Sequence, residues 1–125
     1  MLIRDSSTCP HAPVIDRSVL CELLHPDNVA GAGDIACSIA HAIVPKGEST
    51  LPHRLLISTE LYYILKGTGS MKIDGEICPV HTGQIVLIPP GAVQNISNTG
   101  TCDLVFLCIV SPKWQARDEE LVTVG

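Results

Sequence analysis

His53 and Glu60 are separated by six residues in the stretch 47–67, "GESTLPHRLLISTELYYILKG", and Gln94 opens a second polar run in "PPGAVQNISN". An imidazole, a carboxylate and an amide oxygen can all donate to a divalent cation, and a carboxyl beside an apolar run can also hold or move a proton. "LYYIL" follows Glu60 directly, so its acid is expected to be buried or half-buried and to need a partner. Strand side chains alternate between faces, which puts His53 with Leu55 and Glu60 with Tyr62. Tyr62 is thereby in phase with the carboxyl, a candidate catalytic proton donor or hydrogen-bond donor to ligand, while Tyr63 and Arg54 point the other way. His41, in "CSIAHAIV", shares a face with Ile35, Cys37, Ile39 and Ile43. The alternation leaves open whether that face meets a cavity or the back of a sheet. If it meets the cavity, His41, His53 and Glu60 make the two-histidine, one-carboxylate set of open-sided iron sites. His11, His25 and His81 lie in polar or turn contexts, and the spacing assigns them no role.

Glycines and prolines frame these residues. Gly47, His53, Glu60 and Gly67 have five, six and six residues between successive members, and Gly83, Pro89, Pro90, Gly91, Gln94 and Asn98 form a second frame. Together they resemble the paired motifs of the cupin family, G(x)5HxH(x)4E(x)6G and G(x)5PxG(x)2H(x)3N, over residues 44–98. The resemblance implies an all-β, single-domain cupin, a double-stranded β-helix or jelly-roll barrel. In cupins the central cavity holds one divalent metal on three histidines and a glutamate. It also implies pairing of two copies through their sheets, a homodimer, and a structural role for Asn98. This chain departs from the pattern at two positions: Leu55 replaces the second histidine and Gln94 the third. Leu55 cannot bind a metal and is expected to shape a substrate pocket with Tyr62, whereas Gln94 can bind through its amide oxygen, more weakly than an imidazole. The expected metal set is therefore His53, Glu60 and Gln94, with His41 as candidate fourth donor, for Fe, Mn, Ni or Zn.

The elements that must position these groups read as short strands. From Val14 onward, runs such as "VIDRSVLCELL", "ELYYILKG", "QIVLIPP" and "DLVFLCIV" alternate or are apolar throughout, with Gly, Pro, Asn and Asp between them, the pattern of an all-β sandwich or barrel. Asp74-Gly75 in "MKIDGEI" is a two-residue hairpin signal. "HPDNVAGAGD" reads as an exposed connection. The tail "SPKWQARDEELV" has helical character over 116–122, a short C-terminal helical turn, or forms a strap that packs Trp114 over the barrel. One domain over 1–125 is expected, with N-terminal strands about 13–44, the two motifs at 47–67 and 83–98, and a C-terminal strand and tail at 103–125.

Composition narrows the function classes. The chain has 125 residues, a formal net charge of -5 and no run of Lys or Arg, which excludes the basic groove that nucleic acid needs. No stretch is long and apolar enough to span a membrane, and the first residues lack the order of a signal peptide, so the expected location is the cytoplasm. The six cysteines are scattered and several lie in apolar runs, which reads as free thiols. The leading functional reading is a metal-dependent enzyme, of oxygenase or isomerase type, on a small polar metabolite; the sequence also resembles small cupins labelled mannose-6-phosphate-isomerase-like. The alternatives are a metal-free module that binds a sugar or small acid, and a non-catalytic dimer with a vestigial cavity. Because the residues in phase with the cavity are neutral or acidic, weak binding of sugar phosphates is expected.

Overall fold

The structure, a computed structural model, describes residues 1–123. It contains eleven strands: β1 (Ala12–Pro13), β2 (Val19–Leu24), β3 (Ser38–Val44), β4 (His53–Leu55), β5 (Thr59–Lys66), β6 (Thr68–Ile73), β7 (Glu76–His81), β8 (Ile85–Ile88), β9 (Gln94–Asn98), β10 (Leu104–Ser111) and β11 (Glu119–Leu121). One sheet runs in the order β1-β2-β3-β10-β5-β8 and the other β11-β4-β9-β6-β7, with every pairing antiparallel. This is the two-sheet jelly roll expected from the paired frames.

The alternating pattern drives the closure of the two sheets. In β5, Glu60, Tyr62 and Ile64 are buried while Tyr63 and Leu65 are exposed; in β9, Gln94, Ile96 and Asn98 are buried. The core forms where these inner faces meet, from Ala42, Val44, Ile64, Ile88, Leu104 and Phe106 on one sheet and Met71, Val80 and Ile96 on the other. Tyr62 stacks on Phe106 with ring centroids 4.5 Å apart. Full burial of side chains such as Ile64, Ile96 and Phe106 stabilises by about 1.5–3 kcal/mol each.

The turns follow their local chemistry. Asp74 and Gly75 both take positive φ, 48° and 85°, and join β6 to β7 as the hairpin signal requires. Gly67 has a φ of 91°, and a Cβ there would sit 2.9 Å from the Asp103 carbonyl oxygen, so the frame's last glycine is fixed by both backbone and space. At the corner Pro89-Pro90-Gly91 the Gly91 N–H donates to the Leu55 carbonyl at 2.7 Å and delivers Gln94 to the start of β9. Asn98 donates to the carbonyls of Val44 and Cys102 and accepts from the Gly100 N–H, a structural use of that side chain.

The tail keeps one helical turn. Ala116–Asp118 is a 3-10 turn, but residues 119–121 extend as β11, because the free edge of β4 offers partners for their backbone groups. Trp114 is half-buried; its N–H donates to Ser38 Oγ at 2.8 Å and its carbonyl meets His25 Nε2 at 2.7 Å. His25, in the connection after β2, is therefore a buried anchor for the tail. Of the cysteines, Cys21 and Cys108 are buried, Cys9 and Cys37 half-buried, and Cys78 and Cys102 exposed, all as free thiols.

Candidate metal and ligand cavity

His53 and Gln94 are cross-strand partners in β4 and β9, so both project from one sheet toward the other. Glu60 projects back from β5, and Gln94 Nε2 donates to Glu60 Oε1 at 2.7 Å across the barrel. Gln94 Oε1 is a buried polar atom with no hydrogen-bond partner among the described residues. Burial pushes the Glu60 carboxyl up to about 8; the Gln94 hydrogen bond opposes the shift, and the charges of Glu119 and Asp16 add to it. Burial likewise drives the Tyr62 phenol well above its ordinary range. The alternation thus places His53, Leu55, Glu60, Tyr62 and Gln94 inside, all less than a tenth exposed, and leaves Arg54 outside in an ion pair with Glu120.

Both ring nitrogens of His53 have neighbours of their own. Its Nδ1–H donates to the Leu51 carbonyl at 2.7 Å, which leaves Nε2 to face Asp16 Oδ2 at 3.4 Å. Asp16 is buried in the turn before β2. Its Oδ1 accepts from the N–H and hydroxyl of Ser18 at 2.9 and 2.7 Å, and its carbonyl accepts from Leu51 N–H at 2.7 Å. Glu119 reaches the same place from β11, where it stands opposite Leu55. Asp16, His53 and Glu119 each offer one donor atom, and the three atoms lie within 4.8 Å of one another. Burial raises the Glu119 carboxyl; the nearby His53 works against this and Asp16 reinforces it.

Of the four positions of the family pattern, Leu55 has no donor, Glu60 and Gln94 are bonded to each other, and His53 Nε2 faces Asp16. His53 also forms a candidate donor group with Asp16 and Glu119, neither of which lies in a motif frame. The Asp-x-Ser spacing of Asp16 and Ser18 is the local signal of a fixed carboxylate, but only the long-range fold brings it to His53. His41 stands apart. The inward residues of β3 are Ala40, Ala42 and Val44, so the odd positions face the back of the sheet, where the His41 ring meets His11. Its place in a two-histidine, one-carboxylate set with His53 and Glu60 is accordingly not formed.

Asp16, His53, Glu60, Tyr62 and Glu119 line a cavity of about 570 Å³, together with an apolar wall that includes Leu20, Phe106, Cys108, Val110 and Trp114. That volume suits a small metabolite. No Lys or Arg lines it among the described residues.

The chain matches the family model described as the cupin domain over residues 40–110, and it belongs to the cupin family. It is 40% identical over 107 residues to an uncharacterised protein of Methanocaldococcus jannaschii, covering 86% of this chain and 83% of that one. Over 67 residues it is 34% identical to the oxalate-binding protein of Thermotoga maritima, covering 54% of this chain and 55% of that protein. A Thermotoga maritima crystal structure described as a predicted oxalate decarboxylase shares the fold, with a TM-score of 0.77 at 24% identity over 89% of this chain and 99% of that one.

Proposed function

We propose that this cupin holds a divalent metal ion between Asp16, His53 and Glu119 and uses it to bind and turn over a small acidic metabolite in the barrel cavity. One observation carries the reading: two carboxyl side chains, Asp16 and Glu119, meet one imidazole, His53, in a cavity that Glu60 also lines and no Lys or Arg lines among the described residues. Burying such a cluster without a counter-charge is costly, and a divalent cation offsets it. The oxygen-rich set with one imidazole suits Mn(II) or Fe(II) within the range Fe, Mn, Ni and Zn. The ion, when bound, supplies the Lewis-acid charge that an anionic ligand needs.

The chain's own residues do the rest. The Leu51 carbonyl fixes the His53 tautomer, so the Nε2 lone pair faces the donors. Ser18 holds Asp16 Oδ1 and leaves Oδ2 turned toward His53. Burial raises the Glu60 carboxyl, and because Oε1 accepts from Gln94, Oε2 is the oxygen left to hold a proton or meet a ligand. Tyr62 presents its phenol from the same face of β5. Phe106, Val110 and Trp114 exclude water from one wall.

A dicarboxylate such as the oxalate named for the Thermotoga relative is the ligand class to test, since its charge must be met by the ion. Calorimetric titration of Mn(II) and then oxalate into chelator-treated protein should give oxalate binding only after metal. His53→Ala and Asp16→Asn should each weaken Mn(II) binding by about tenfold or more. Equal oxalate affinity with and without metal would instead make the cavity a metal-free binding module. We also propose that two copies pair through the outer face of β5 and β8, where Tyr63 lies opposite Ile85 and Leu61 opposite Leu87, and that the free thiols belong to a reducing compartment, the cytoplasm.

A further inference from the structure

On the back of the larger sheet, β1, β2 and β3 bring a second set of donors into one row. Cys21 is the cross-strand partner of His41. Ala12 pairs with Leu20, so one residue further along the same register His11 falls opposite Cys21. His11, Cys21 and His41 each place a donor atom within 4.8 Å of the others, and His11 Nε2 lies 2.9 Å from His41 Nδ1. Cys9, two residues before His11, lies against the residue that follows Cys21 in β2, its Sγ 3.8 Å from the Glu22 carbonyl oxygen. The side chains are two imidazoles and two thiols, the donor set of a closed tetrahedral zinc site.

We propose that His11, Cys21 and His41, with Cys9 as fourth ligand, bind a structural Zn(II) that staples the N-terminal segment to the back of the barrel. The surroundings suit it. The His11 Nδ1–H donates to the Cys9 carbonyl at 2.9 Å, which fixes the tautomer and turns the Nε2 lone pair toward His41 Nδ1. The observed separation of the two ring nitrogens needs to open only slightly for both to sit about 2.0–2.1 Å from one ion. On binding, both thiols release their protons to solvent. The Arg4 guanidinium, 3.8 Å from Cys9 Sγ, then faces a thiolate. Cys21 also borders the cavity, but the two sites share no ligand: the donors here are soft, those of the cavity hard, so the two are expected to take different ions.

Elemental analysis and Co(II) spectroscopy on the full chain test the assignment. The purified protein should carry about one zinc per chain that persists in His53→Ala and is lost in Cys21→Ser. Co(II)-loaded protein should show thiolate-to-cobalt charge transfer and the intense visible bands of tetrahedral cobalt. Because Cys21 is buried in a strand, His11→Ala is the second variant: it lies outside the core, should keep the native far-ultraviolet circular dichroism, and should weaken zinc binding by about tenfold or more. Absence of the sulfur charge-transfer band, its persistence in both Cys21→Ser and His11→Ala, or a metal-free protein with a Cys9–Cys21 disulfide would each overturn the site.

Discussion

The burial of the Glu60 carboxyl extends into the pH dependence of the whole protein. With its pKa at about 8 in the folded state against 4.5 for an ordinary glutamate, the folded protein keeps a proton that the unfolded chain has released throughout that window. Stability of the metal-free protein therefore falls as pH rises from about 4.5 to about 8, by an amount on the order of a few kcal/mol. Glu119, also raised, adds in the same direction. Glu60→Gln should flatten the slope, read as the thermal midpoint of chelator-treated protein across this range; an unchanged slope would mean that Glu60 is ionised at little cost. At this scale the sequence was legible where alternation alone decides the matter: His53, Leu55, Glu60, Tyr62 and Gln94 all face inward. It was silent on Asp16 and Glu119, whose approach to His53 depends on a distant turn and on an edge strand. For His41 it narrowed the choice to two faces, and Ala40 and Ala42 took the inner one.

Among the elements, the C-terminal turn and strand carry the most for their length. Asp118 is buried and accepts from the N–H groups of Ile57 and Ser58 at 2.7 and 3.1 Å, which ties the 3-10 turn to the loop after β4. Asp118→Ala should leave both amides without a partner and destabilise by about 2–3 kcal/mol in urea unfolding. Because Glu119 follows immediately, the same variant should also weaken cavity metal binding, which a purely local loss of stability would not do. The short C-terminal helical turn expected within 116–122 forms over Ala116–Asp118, and the chain beyond it extends as β11 because intrinsic preference is weak beside an unpaired strand edge. The Asp74-Gly75 hairpin succeeded because its turn angles and its partner strands are all local.

For the whole molecule, the paired frames of glycine and proline made the barrel legible: Gly67 and Gly91 stand where the backbone needs a positive φ, a requirement written in single residues. The outer face of β5 and β8 leaves Tyr63, Leu65, Ile85 and Leu87 exposed, an apolar surface that a second copy would cover. Sedimentation should give twice the chain mass for the native protein and the single mass for Leu87→Lys, whose charge would sit in the middle of that contact. A single mass for the native chain would mean that the face has another use. β11 is three residues long and forms the outer edge of its sheet, yet it brings Glu119, one of the two carboxyls of the candidate donor group, to His53. The residence time of an ion in the cavity is then tied to how often this strip of chain peels from β4, so metal release and amide exchange along residues 119–121 should share one opening rate.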